Sequence, residues 1–205
     1  MKKTLYGAHG TCETYANRIY AKGFKTNEGR HGIGVYLWQV DKNDEYSWKS
    51  INDLTKCYLK DTDYRRKVSD PTHVLLRCQI DVLDDNFYDF ECHDHTALFA
   101  TYRKHFEQNY SLENVQKELD RSDSSNQRGS NKSKKEKELA TKVYNGFFAM
   151  LEEYLDKPLD IYVYFVKAQK PKSYESMTSI MVGYTVGCYV VKKPSIITII
   201  KKDVL

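Results

Sequence analysis

At 205 residues, with 40% hydrophobic and 13% aromatic side chains, the chain is long enough to enclose one hydrophobic core as a single domain spanning 1–205. Its mean hydropathy of -0.68 excludes a helical membrane protein, since no apolar run nears the roughly 20 residues of a bilayer crossing. The formal charge of +4, with a pI near 8.6, is too slight a basic excess to establish a nucleic-acid binder, though it leaves one in play.

The first residues, MKKTLYGAHG, carry two lysines and only a brief apolar stretch. They lack the apolar run of a secretory signal, so the expected location is the cytoplasm. Cys12, Cys57, Cys78, Cys92 and Cys188 are odd in number and scattered, which suits reduced thiols better than a disulfide framework.

The first predicted elements lie in Leu5–Trp38. Leu5-Tyr6 reads as a short strand running into a polar turn, Ala8-His9-Gly10-Thr11, where Gly10 allows the backbone to approach a flat ligand that a side chain would block. Thr11 is placed to cap a helix with Glu13 and Thr14 in its first turn, Ala16, Ile19 and Tyr20 on its apolar face and Gly23 at its end. Ile33–Trp38 is a β-rich run launched from glycines. Asp44 then caps a second helix whose Trp48, Ile51, Leu54, Cys57 and Tyr58 share one buried face.

Residues 60–72 are charged and include Pro71, and read as a loop. Val74, Leu75, Leu76, Cys78, Ile80 and Val82 form a largely buried strand, ended by a turn at Asp84-Asp85-Asn86. Cys92-His93-Asp94-His95 offers donor side chains, but adjacent donors on one short segment do not close a tetrahedral site and no matching second cluster follows, so no metal is expected. A helix runs from Thr96 to Asp120 through Leu98, Phe99, Tyr102, Phe106, Leu112, Val115 and Leu119. The Ser/Asn/Lys-rich stretch at about 121–137 is expected to be a mobile linker. A further helix, Lys134 to Leu155, places Leu139, Val143, Phe147, Met150 and Leu151 on one face. Residues 94–157 thus read as a helical insertion that docks a partner, covers a cleft or packs against the sheet.

Strands return at Asp160–Lys167, Ile180–Val191 and Ser195–Ile200, the first two separated by the loop KAQKPKSYESMTS. Strands, helices and strands without regular βαβ alternation predict an α+β sheet. The glycines before Tyr36 precede a strand instead of joining a strand to a helix N-terminus, which argues against a dinucleotide-binding Rossmann fold. The basic excess in RGSNKSKKEK and at Lys192, Lys193, Lys201 and Lys202 is not interleaved with aromatics. It reads as a solvated loop and a solvated edge, with a phosphate-binding patch as the alternative.

His9-Gly10-Thr11, Gly23-Phe24 and Gly32-Ile33-Gly34-Val35-Tyr36 stand in the order and spacing of an HG[ST] turn, a helix ending in GF and a G-x-G-[IV]-Y strand. In this the chain resembles ADP-ribosyltransferases of the diphtheria-toxin and poly(ADP-ribose) polymerase class, over about the first fifty residues and more weakly in the last strands. The resemblance implies split mixed and antiparallel sheets with flanking helices, and NAD as substrate. It also implies that a second aromatic, Tyr46 with Trp48 in reserve, closes the nicotinamide ring against Tyr36. The implied activity is transfer of one ADP-ribose to a macromolecular acceptor, protein or nucleic-acid base. Small members of this kind resemble intracellular toxins or phage-defence effectors with an antitoxin or chaperone partner.

NAD chemistry gives each candidate a task. Breaking the nicotinamide–ribose bond builds an oxocarbenium-like cation, so the ring must be held, the ribose oriented and positive charge stabilised. Gly10 backbone, with Thr11 beside it, can pair with the carboxamide; the faces of Tyr36 and Tyr46 can hold the cationic ring; His9 can bond a ribose hydroxyl. In the resembled class a glutamate begins the late strand, but here the corresponding run is Cys188-Tyr189-Val190-Val191, and a neutral thiol is a poor substitute for a carboxylate. Three readings stay open: Glu175 in the upstream loop supplies the carboxylate, the acceptor or another side chain assists, or the site binds NAD without catalysis. A silent binding module and an NAD glycohydrolase are the alternatives to transfer.

Overall fold

The opening strand is longer than its sequence suggests. β1 (Lys2–Cys12) passes straight through His9-Gly10-Thr11 because its ladder with β4 (His73–Leu83), from Lys2↔Leu83 to Cys12↔His73, holds all of these residues extended. The computed structural model describes residues 1–61, 70, 72–109, 128–169 and 185–205, with backbone alone at 60, 61, 109, 128–136 and 169. Thr11 is fully buried in the strand and does not cap the helix; Cys12 takes the cap position without a side-chain bond. Distant residues meet the first-turn donors instead. The Thr72 carbonyl accepts the Glu13 N–H at 3.0 Å and the Asp70 carboxylate accepts the Thr14 N–H at 2.7 Å.

α1 (Glu13–Lys22) buries Ala16 and partly buries Ile19, leaves Tyr20 half exposed, and ends at Gly23. β2 (Asn27–Gly29) and β3 (Gly32–Gln39) form a hairpin. α2 (Glu45–Asp61) starts where the Asp44 carboxylate accepts the Tyr46 N–H at 2.9 Å, and it buries Trp48, Ile51 and Leu54. A 3-10 turn at Asp84–Asn86 leads to β5 (Phe87–Asp89).

α3 (His93–Asn109) begins three residues before the predicted start, and α4 (Arg128–Leu155) already contains residues 128–137. Composition placed those residues in a mobile linker, with the helix starting at Lys134, but lysines have good helix propensity and can extend a helix whose later turns are packed. The rest of the linker, 121–127, and the last part of the predicted helix, with Leu112, Val115 and Leu119, lie outside the described residues. β6 (Val163–Gln169), β7 (Thr185–Val191) and β8 (Ile197–Val204) complete the chain.

Among the described residues eight strands make one open sheet in the order β5-β6-β7-β3-β1-β4-β8, with β2 attached to β3. Every pairing is antiparallel except β5 with β6, so the protein is α+β with a mostly antiparallel sheet. β1 and β3 share only Gly7↔Gln39 and Ala8↔Trp38. Beyond that point β1 stays with β4, and β3 pairs with β7 from Val35↔Val191 to Trp38↔Cys188.

Both faces of the sheet are covered. Leu37, Leu76, Cys78, Ile80 and Val191 pack with Ala16 of α1 and with Phe24 on one face. On the other, Ala8, Val40 and Leu75 meet Trp48, Ile51 and Leu54 of α2, while Tyr164, Val166, Cys188 and Val190 meet Phe147, Phe148 and Leu151 of α4. Burial of each such large apolar side chain contributes about 1.5–3 kcal/mol, so α4 is part of the core. No helix among the described residues is long and apolar enough to cross a membrane.

Candidate functional site

The site is built where the β1–β3 ladder stops. In an antiparallel strand alternate residues direct both backbone polar groups to the same neighbour. The Tyr6 carbonyl accepts the Val40 N–H at 3.1 Å on the β3 side, and Ala8 pairs with Trp38 there, so Gly10 also presents its N–H and C=O toward β3. The ladder has ended by then. Tyr36, which would lie across from Gly10, has its carbonyl occupied by another donor, the His9 imidazole at 3.1 Å from Nδ1.

A carbonyl only accepts, so His9 carries its proton on Nδ1, and the Nε2 lone pair is left as an acceptor. Burial lowers the pKa of His9, an effect partly opposed by this bond, and burial with nearby Arg30 lowers that of His31. Both fold as neutral rings while the unfolded chain binds protons near pH 6.5. Stability is therefore complete above about pH 6.5 and falls as pH drops below it, until the folded pKa values are passed. Urea midpoints are expected to fall from about pH 7.5 to about pH 5, and to fall less in His9→Gln; equal slopes in both proteins would remove His9 from this linkage.

The pleat separates the two expected partners. Ala8 and Trp38 pair directly and share a face, which puts His9 on the opposite face from Tyr36. His9 stands edge-on to Phe24 at 5.3 Å, on the α1 side, while Tyr36 and Trp38 lie with the α4-side cluster. The two side chains do not face one another across a pocket as expected; they meet only through the Tyr36 carbonyl, one on each side of the gap.

Tyr36 is fixed by its hydroxyl, which donates to the Gly32 carbonyl at 2.7 Å and accepts the His31 N–H at 3.1 Å. Burial, outweighing the bond from His31, raises its pKa and keeps the phenol protonated, and its one O–H proton is given to Gly32, which leaves the ring as the group free to act. Tyr46 does not join it. That side chain is 81% exposed, because it lies in the first turn of α2 on the solvent side. Trp48 is buried beneath the Arg77 guanidinium, 4.3 Å from its ring, with its indole N–H on the Lys42 carbonyl.

The second aromatic is Tyr58, three turns further along α2. It sits edge-on to Trp38 at 6.0 Å, and burial raises the pKa of its phenol. It remains 40% exposed, unlike the residues of the core face of α2. Its period on the helix was readable, but that period equally described a core residue. Thr55, one turn before Tyr58, was missed altogether. Its hydroxyl is buried without a hydrogen-bond partner, and a Cβ on Gly10 would overlap its Cγ2 methyl. A polar atom so placed next to Gly10 is an unusual cost unless a ligand satisfies it.

Cys188 pairs with Trp38 in register, on the Tyr36 face, and is fully buried. Burial pushes its thiol up to about 12, so it is neutral and supplies no counter-charge. Glu175 lies outside the described residues.

The remaining polar clusters serve the fold. His95 donates from Nδ1 to the Asp89 carbonyl at 2.8 Å and stacks on Tyr88, and no group of three or more metal-ligating side chains occurs among the described residues. Lys192 and Lys193 lie over the rings of Phe148 and Tyr162, Lys201 pairs with Asp203 at 3.1 Å and Lys202 with Glu13 at 2.8 Å. No protein-family model, curated protein or solved structure matches the chain.

Proposed function

We propose that the protein binds NAD at the gap between β1 and β3 and transfers its ADP-ribose to a macromolecular acceptor, with a fold of the ADP-ribosyltransferase kind. The observation that carries the reading is the unpaired edge of Gly10. Its N–H and C=O, directed at the gap, complement the C=O and NH2 of a carboxamide, and the orphan Thr55 hydroxyl lies beside them. The nicotinamide ring then lies against Tyr36 and Tyr58, where the ring quadrupoles favour its positive charge. From the other side of the gap, the bare Nε2 of His9 accepts a bond from a ribose hydroxyl and fixes the sugar.

Cys188 favours a second reading. Cys188, at the position where the resembled class carries its carboxylate, is a neutral thiol, which also suits a silent NAD-binding or ADP-ribose-binding module. Transfer requires a carboxylate or acceptor group from elsewhere, Glu175 being the candidate in the chain. Mass spectrometry of NAD incubated with the protein and a cell extract separates the readings. Transfer yields modified protein or nucleic acid, glycohydrolysis yields free ADP-ribose, and a silent module leaves NAD intact. An intracellular toxin or defence effector of this kind would be held in check by an antitoxin or chaperone.

Thr55→Val provides an independent check. Exchanging an unpaired buried hydroxyl for a methyl is expected to leave stability unchanged or raise it by about 1 kcal/mol. NAD affinity is expected to fall about tenfold with the loss of one hydrogen bond to the ligand. Calorimetric titration showing wild-type affinity would remove Thr55 from the site.

A further inference from the structure

We propose that Arg30, carried at the tip of the β2–β3 turn against the Tyr36 hydroxyl, binds the diphosphate of the dinucleotide. The inference rests on the NAD-binding reading above and adds the residue that takes the ligand's negative charge.

The turn that carries Arg30 is held on both sides. Gly29 before it has no room for a side chain, since a Cβ there would overlap the Tyr36 hydroxyl. His31 after it is tied at three atoms: its N–H bonds the Tyr36 hydroxyl, its carbonyl accepts from Tyr164, and its Nδ1 meets the Tyr144 hydroxyl at 3.0 Å. Gly32 closes the turn at φ 93°, a conformation that disfavours other residues. The stem of Arg30 is thus anchored to the same ring that would hold the nicotinamide.

Its side chain is exposed and has no carboxylate partner among the described residues. It is nevertheless near enough to both His31 and Tyr58 to favour the uncharged imidazole of one and the phenolate of the other. A lone cation here would repel the positive pyridinium held between Tyr36 and Tyr58. The two are compatible when the ligand brings its own anion, and in NAD the diphosphate follows the nicotinamide ribose directly. The planar fork of a guanidinium suits two phosphate oxygens at once.

The test titrates NAD, ADP-ribose and nicotinamide riboside, which lacks the phosphates, into wild type, Arg30→Gln, Arg30→Lys and Tyr36→Ala, at low and high salt. Arg30→Gln is expected to weaken NAD and ADP-ribose by about 10- to 100-fold and to flatten the salt dependence, while nicotinamide riboside binds as well as before or slightly tighter, the repulsion of its pyridinium being removed; Arg30→Lys recovers part of the loss. Arg30 is exposed, so the Gln variant should unfold at the wild-type temperature. Wild-type NAD affinity in Arg30→Gln, an equal loss for the riboside, or a lowered unfolding temperature would each overturn the assignment. If Tyr36→Ala still loses NAD in that event, the dinucleotide site itself stands; a wild-type protein that binds none of the three ligands overturns both.

Discussion

Tyr36→Ala is expected to abolish NAD turnover and binding and to lower the unfolding free energy by about 2–3 kcal/mol, below the range of a fully enclosed ring because Tyr36 is part-buried. In the proposed site the ring is the stacking surface, and its hydroxyl ties the β2–β3 turn at Gly32 and His31, so the substitution would remove ligand contact and support together. Tyr36→Phe separates them. It keeps the ring but leaves the Gly32 carbonyl and His31 N–H short of a partner, with an expected cost of about 1–2 kcal/mol and retained turnover. Loss of turnover in the Phe variant, at a temperature where it is folded, would show that the hydroxyl takes part in the chemistry.

Gly10→Ala is expected to have the second largest effect. The new Cβ overlaps the Thr55 methyl, which lies on a helix packed through Trp48, Ile51 and Leu54, so α2 must shift as a body or β1 must bend. Overpacking of this kind costs about 1–3 kcal/mol, and the shift it forces displaces the Gly10 edge that would hold the carboxamide. NAD binding should be lost. Adding Thr55→Ala removes the overlapping methyl and leaves the Thr55 Cβ position at 3.4 Å, so stability should return, and NAD binding with it to within about tenfold of wild type, the deficit being that of the missing hydroxyl. Failure of the second substitution to restore the unfolding midpoint would place the strain elsewhere than at this contact.

Both predictions concern residues chosen from the chain alone. His9, Gly10 and Tyr36 were picked out by the resemblance their order and spacing carry, and all three border the β1–β3 gap. Their arrangement was not readable. Spacing along the chain cannot tell on which side of the gap each ring lies, because that depends on the register Ala8↔Trp38 between strands some thirty residues apart. For the same reason Tyr46 was preferred to Tyr58: distance from Tyr36 along the chain favoured the first, whereas rotation of α2 about its buried face carries the second to Trp38.

Local chemistry accounts for what could be read from residues alone. The strand at Val74–Val82, the Asp44 cap, the apolar face Trp48-Ile51-Leu54 and the turn at Asp84–Asn86 each depend on neighbours within a few positions. Long-range pairing settled the rest. It kept β1 extended through Thr11 and met the start of α1 from Thr72 and Asp70; it also ended the β1–β3 ladder after two pairs and brought Thr55 against Gly10. A backbone hydrogen bond or a steric overlap between residues far apart in the chain leaves no mark on the composition or periodicity of either segment, since each is equally suited to several partners until the sheet assembles.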